Sequence, residues 1–409
     1  MKILYVTQIV PYPPHGGVLQ RGFNLVRELG RHHQVHLLAF QHLDELPMGE
    51  PYEASRRELG RFCAALEYFP LWVKRSKLHK TAGLLAAGLY TKPYSVLTHT
   101  SSALAHRVRV ICSGSNPPDI VHLDTIALAP LAAACGSVPV VLAHHNVESQ
   151  LMARRAEVQP GALARTYIRV QAERLERYER EQCPRFALNI MVSRRDAEVL
   201  SAACPGIQTA VIPNGVDTDY FVPRAGSDAP AVIYTGGMQM FANRDAVEWF
   251  LEAIWPKLKA AIPGIKFLAV GQHPSAKVLA ASAADPDVEA PGFVPDVRTW
   301  VARASVYIVP LRVGGGTRLK MVDAMAQGKA IVATTVGAEG IEGEDGQHFL
   351  LRDTADDFAT ATIKLLNDAR AREELGRAAR QRAEAVYAWP LLGAQLADCY
   401  QRVIAEARA

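Results

Sequence analysis

The stretch VYIVPLRVGGGTRLKMVDAMAQGKAIVATT, residues 306–335, decides how the chain folds. It opens on a run that is apolar on both faces and turns through Gly314, Gly315 and Gly316. It continues with apolar residues at helical spacing and closes on a second apolar run. Gly328 stands where a helix ends in the left-handed conformation. A buried strand, a glycine turn, a helix and a second buried strand make one parallel βαβ unit.

The same alternation extends outward from it. KILYVTQ, QVHLLAF, DIVHLD, PVVLAHH and ALNIMVS read as strands in the first half. After Cys204-Pro205-Gly206 the pattern restarts with TAVIPNG, AVIYTGG, IKFLAVG and VEAPGFV, with helical segments such as DAVEWFLEAIWPKLKAA between them. The expected fold class is therefore α/β, two Rossmann-like doubly wound parallel-sheet domains in series. They are expected at 1–206 and 207–387, and the amphipathic segment 388–409 is expected to pack back on the first.

Composition sets the bounds. Of 409 residues, 49% are hydrophobic and 21% charged, enough for two cores. A net charge of +4 leaves no electrostatic footprint for nucleic acid, and no such partner is expected. Charge is nonetheless uneven: residues 68–118 hold no Asp or Glu but carry Lys74, Arg75, Lys77, Lys80, Lys92, Arg107 and Arg109. With Leu71, Trp72 and Leu84 mixed in, that stretch reads either as an anionic membrane contact or as a solvated basic face. Six cysteines without a C-x-x-C pair read as reduced thiols. The first residues read as a strand rather than a signal sequence, and Pro130, Gly136 and Pro139 break the uncharged run 125–143.

Doubly wound sheets bind ligands beyond the carboxyl ends of their strands, so the loops after strands should carry the chemistry. Gly314, Gly315 and Gly316 permit close backbone approach, and Thr317 can cap the following helix. Arg318 and Lys320 add cations beside its positive end, a combination suited to a diphosphate. Asp323 shares the inward stripe of the same helix. A lone buried carboxylate is strongly unfavourable, so it needs either a cation of the fold or the vicinal hydroxyls of a ribose. Gly236 and Gly237, with Asn243 and Arg244 following, form a second candidate phosphate contact. Gly292-Phe293-Val294 offers a ring for a flat base, or is a plain turn. In the first half, His15-Gly16-Gly17 follows the first strand without a dinucleotide fingerprint. His144 and His145 end the strand PVVLA, placing an imidazole toward an expected interdomain cleft.

Taken in order, PYPPHGGVLQRGFNLVREL, HHNVES, VIPNGVD, YTGGM with NRDAVEWF, GFVPDV and GGGTRLKMVDAMAQGKAIVATTVGAEGI carry a resemblance. The chain resembles the GT-B sugar transferases, specifically the retaining family 4 glycosyltransferases of bacterial polysaccharide assembly. Its GGGTRLK form is similar to sugar transferases of the exopolysaccharide/PEP-CTERM-associated type. The resemblance implies that Asp323 stands where the family has a glutamate holding the nucleotide's ribose. Gly315 stands where the family has a second glutamate, leaving donor-sugar recognition to backbone groups of Gly315, Gly316 and Thr317. His145 matches a histidine that contacts the donor sugar near the bond being broken, and Gly16 and Gly17, beside His15, match a turn facing phosphate and acceptor. Gly237 occupies the place of a customary arginine and Arg244 lies near that of a lysine, with Arg318 and Lys320 as replacements.

The implied activity is front-face, retaining transfer of a hexosyl group from a nucleotide-diphosphate sugar to a lipid-linked or oligosaccharide acceptor. Neither a cofactor nor a metal is expected. The implied location is cytoplasmic, peripheral on the inner membrane through residues 68–118. A nucleotide-sugar epimerase on the same fold, or a non-catalytic nucleotide-sugar-binding component of a polysaccharide assembly complex, are the alternatives.

Overall fold

A computed structural model describes the chain except for residues 15, 75–78, 80, 82, 84–90, 160, 226–228 and 314–317. The chain forms two compact units, Met1–Asn214 with Leu392–Ala409, and Gly215–Leu391. In the first, strands β1 (Lys2–Thr7), β2 (Gln34–Gln41), β3 (Ala65–Pro70), β4 (Ile120–Leu123), β5 (Val140–Ala143), β6 (Leu188–Met191) and β7 (Thr209–Val211) form a sheet. Its order is β3-β2-β1-β4-β5-β6-β7, and neighbouring strands are parallel. The second unit holds β8 (Ala231–Thr235), β9 (Lys266–Val270), β10 (Val288–Gly292), β11 (Val306–Val309), β12 (Ala330–Ala333) and β13 (Leu350–Leu351). Their order is β10-β9-β8-β11-β12-β13, again parallel.

Strands β4, β6, β11 and β12 are buried at every position, as apolar runs between two helical layers must be. Each fully buried Val or Ile side chain there contributes roughly 1.5–3 kcal/mol. In both sheets the order reverses beside the first strand, between β1 and β4 and between β8 and β11. There the loops diverge and leave a crevice at the carboxyl ends.

Two expectations are corrected. TAVIPNG does not open the second sheet: its strand β7 pairs with β6 and closes the edge of the first, so the units divide at Asn214 rather than at 206. DAVEWFLEAIWPKLKAA is not one regular helix. Helix Phe241–Trp249 widens into a π-turn over Phe250–Ile254 before Trp255–Ala261, because Pro256 cannot donate to the carbonyl one turn back. The basic stretch is also less free than its composition suggests. Lys74 Nζ lies 3.0 Å from carboxylate oxygens of both Asp44 and Glu45, and Arg107 clasps Glu67 through Nε and Nη2. Arg75, Lys77 and Lys80 lie outside the described residues.

The C-terminal helix Trp389–Arg408 enters the first unit from Leu392 onward. Gly393 lets it lie against the helix Gly17–His32, since a side chain there would collide with Glu28. The six cysteines are free thiols. Among the described residues no helix is long and apolar enough to cross a membrane.

Candidate functional site

The switch point of the second sheet holds Gly237, Arg318, Lys320 and Asp323. The helix Leu319–Ala326 follows β11, and Arg318 occupies its N-cap position without a side-chain cap. The triplet Gly314–Gly316 and Thr317 lie outside the described residues. The helix ends as expected: Gly328 has φ 65° and its N–H returns to Met325 O at 2.9 Å. Asp323 is half-buried on a helix whose neighbours Met321, Val322, Ala324, Met325 and Ala326 are wholly buried. Among the described residues its carboxylate has no hydrogen-bond or ion-pair partner, and burial alone pushes its carboxyl up to about 7.

Lys320, one turn earlier, does not neutralise it. Its ammonium donates to Tyr234 Oη at 2.7 Å and Asn243 Oδ1 at 2.8 Å, and stands 4.3 Å over the Tyr234 ring. Burial first, and then the Arg318 guanidinium, push Lys320 down to about 7. The ammonium rests against the turn after β8: Gly236 has φ 150°, and a side chain there would collide with Lys320 Nζ. Gly237 O accepts from Asn243 Nδ2 at 2.8 Å, so the same asparagine holds both the turn and the lysine. Arg318 is buried, with Nε 3.3 Å from Val336 O and Nη2 3.7 Å from Glu339.

Lys320 and the Gly236-Gly237 turn are thus brought together, and Arg318 acts on Lys320 electrostatically. Arg244 instead stacks 5.7 Å over Phe241. Phe293 is 68% exposed, while Val294 packs partly against the core.

In the first unit the two histidines separate by role. His144 is buried, bonded through Nε2 to Asn189 Oδ1 at 3.1 Å and pushed down to about 4 by burial. His145 is the more exposed, and its Nε2 lies 3.2 Å from Asp124 Oδ2. That is an ion-pair separation whose angle falls outside hydrogen-bond geometry. Although burial acts to raise it, the imidazoles of His145 and His122 hold the Asp124 carboxyl well below the usual range.

Behind Asp124 lies a buried layer. His122 Nε2 is 3.9 Å from Asp124 Oδ1, its ring stacks on Tyr5 at 4.1 Å, and its Nδ1 meets Tyr400 Oη at 2.7 Å. Arg21 donates to Pro213 O at 2.9 Å and Asn214 Oδ1 at 3.3 Å. Gly16, with φ 88°, is the N-cap of the helix Gly17–His32, while His15 lies outside the described residues.

Sequence reasoning missed Asp124, although its signal was available: an acid directly after a strand apolar on both faces. It also missed the three-residue group His42, Asp44 and Glu45, whose ligand atoms lie within 4.8 Å of one another and whose carboxylates hold Lys74.

A family model described as "Glycosyltransferase Family 4" matches residues 15–220, just over half the chain, and one described as "Glycosyl transferases group 1" matches 229–368. The chain belongs to glycosyltransferase family 4. This family 4 chain is 29% identical over 243 residues to a phosphatidyl-myo-inositol mannosyltransferase of Mycolicibacterium smegmatis, a match covering 56% of the chain and 60% of that relative. The chain thus spans less than two thirds of that relative's length.

Its fold is similar to sucrose-phosphate synthase from Thermosynechococcus elongatus, with TM-score 0.66, 18% identity, and coverage of 99% of this chain and 100% of that one. It is also similar to Anabaena HepE in complex with UDP-glucose, with TM-score 0.64, 15% identity, and coverage of 98% and 100%. These likenesses establish the GT-B architecture of two Rossmann-like domains.

Proposed function

We propose that this family 4 chain is a retaining hexosyltransferase that moves a sugar from a nucleotide-diphosphate sugar to a lipid-linked or oligosaccharide acceptor in bacterial polysaccharide synthesis. The observation that carries the reading is the pair Lys320 and Asp323. One helical turn bears a desolvated ammonium and a carboxyl that leave each other un-neutralised. A nucleotide diphosphate complements both: its phosphates bring negative charge to Lys320, and ribose hydroxyls donate to the Asp323 carboxylate.

In this reading Gly237, Arg244, Arg318 and residues 314–317 share the phosphates with Lys320, and Phe293 with Val294 face the base. As the bond from sugar to phosphate breaks, negative charge grows on the leaving phosphate, and a preorganised ammonium beside it lowers the barrier. His145 is assigned to the donor sugar, its ring held by Asp124 as a positioning residue. The Gly16-Gly17 turn, with His15, is assigned to the acceptor. The acceptor hydroxyl attacks the face the phosphate leaves, and that phosphate takes its proton. No step is routed through a metal.

Two likenesses support donor and acceptor class. HepE is in complex with UDP-glucose, and the mycobacterial relative is by name a mannosyltransferase of an inositol lipid. A cytoplasmic chain resting on the membrane through residues 68–118 suits such an acceptor.

The test is incubation with labelled nucleotide sugars and a membrane lipid extract in the presence of EDTA. Transfer into lipid supports the reading. Interconversion of soluble sugars favours an epimerase, and saturable binding without turnover favours a binding component.

A further inference from the structure

We propose that Arg21 is a positioning residue for sugar transfer: its guanidinium is the buried counter-charge to the Asp124 carboxylate that holds His145. The inference rests on the reading that places His145 at the donor sugar. Arg21 shares the inward stripe of the helix Gly17–His32 with Leu25 and Leu29, and it is 1% exposed. A guanidinium so placed is strongly unfavourable unless its charge is compensated.

Its hydrogen bonds do not supply that compensation. Nη1 donates to Pro213 O and Asn214 Oδ1, both neutral acceptors. Nη2 is buried and, among the described residues, has no hydrogen-bond partner. An amide side chain could tie the helix to residues 213–214 without burying a charge, so a strut alone does not account for an arginine.

The compensating charge lies across the buried layer. Tyr5 stands opposite His122 in the register of β1 and β4, and Asp124 N, just beyond β4, donates to Val6 O at 3.0 Å. Tyr5, Asp124 and Tyr400 are the groups that act on the charge of Arg21. Burial pushes both tyrosines far above their ordinary range and His122 below its own, so these three stay uncharged near neutrality. Behind His145 the layer therefore contains one cation and one anion, Arg21 and Asp124.

Asp124 uses its two oxygens differently. Oδ2 faces His145, while Oδ1 is buried without a hydrogen bond on the side of His122. A carboxylate attracted by a guanidinium behind it and an imidazole in front keeps its charge and its orientation, and the His145 ring is oriented by it. Arg21 is too deeply buried to reach a substrate itself.

The experiment compares two variants of the full chain. R21Q keeps a neutral donor for Pro213 and Asn214, and R21K keeps the charge. Nitrogen NMR signals of the His145 imidazole, assigned by their loss in H145Q, are expected to shift in R21Q and to stay close to wild type in R21K. With labelled nucleotide sugar and membrane lipid extract, turnover is expected to fall roughly a hundredfold in R21Q. Donor KM stays at the wild-type value, because Lys320 and Asp323 hold the nucleotide, and R21K recovers most of the lost turnover. Urea unfolding separates the pair from the fold as a whole. R21Q and D124N each leave one buried charge uncompensated, so the variant carrying both is expected to lose less stability than the two single losses added together.

Additive stability losses overturn the inference. So do unshifted His145 signals in R21Q, and so does equal impairment of R21K and R21Q, which would reduce Arg21 to the strut. NMR and unfolding need no donor and no turnover. A chain that shows both effects but transfers no sugar keeps the coupling of Arg21, Asp124 and His145 and loses the transferase reading.

Discussion

Lys320 and Asp323 each oppose folding most strongly when charged, which gives their ligand role a signature in stability. Asp323 keeps its proton in the folded chain up to about pH 7, whereas the unfolded chain releases it near 3.8. Between those values the folded state holds the extra proton, so stability falls as pH rises. Lys320 behaves in the opposite sense: from about 7 to 10.5 the unfolded chain holds the extra proton, and stability rises with pH. The two contributions together reach their minimum near neutrality.

Asp323→Asn is therefore expected to raise stability at pH 8 by on the order of 1–2 kcal/mol, discounting partial exposure, with no gain at pH 4. Urea unfolding at the two pH values measures it. Nucleotide-diphosphate affinity should fall in the same variant, and a stability gain with undiminished affinity would remove Asp323 from the site. The acid itself was legible, since a carboxylate on an inward stripe asks for a partner. The lysine's setting was not, because Tyr234 and Asn243 come from another strand and another helix, far away along the chain.

The loop that carries His145 is held at both ends. Before it, His144 is bonded to Asn189, whose Nδ2 in turn donates to Cys183 O at 3.0 Å. After it, Glu179 accepts from Ser149 N at 3.2 Å and from Ser149 Oγ at 2.5 Å, capping the N-terminus of the helix Glu148–Val158. Burial pushes Glu179 up to about 7 against the lowering effect of those bonds.

Glu179→Ala leaves the Ser149 groups without their acceptor and is expected to cost roughly 1–3 kcal/mol of stability, read from the urea midpoint. Transfer turnover should fall further than donor affinity. Glu179→Gln, which keeps an acceptor, should recover most of both, and a glutamine variant no better than alanine would refute the clamp. By sequence alone RVQAERLERYEREQ reads as a solvent-facing helix, because Glu179 is chemically like Glu176. Only its register distinguishes it: Ile168, Ala172, Leu175 and Glu179 lie on one buried stripe.

At the scale of the whole molecule, the chain leaves the first unit after Asn214, builds the second, and returns with Leu392–Ala409. The returning helix closes the buried layer behind Asp124 through Tyr400, whose hydroxyl meets His122 Nδ1. The tautomer that keeps the proton on His122 Nε2, toward Asp124, leaves Nδ1 to accept from Tyr400. Burial lowers the pKa of His122, in keeping with that neutral ring. The alternation of strands and helices made both sheets readable in advance. The return of the last helix was an expectation without a named partner, because a hydroxyl joining residues 122 and 400 leaves no local pattern.

Tyr400→Phe deletes that hydroxyl while keeping the ring, so a buried imidazole nitrogen loses its partner at a cost of roughly 1–3 kcal/mol. The cost falls on the first unit alone. Limited proteolysis is expected to cut Tyr400→Phe sooner within Met1–Asn214, while nucleotide affinity, which depends on Lys320 and Asp323 in Gly215–Leu391, stays at the wild-type value. A parallel loss of nucleotide affinity would mean that the last helix supports the second unit as well.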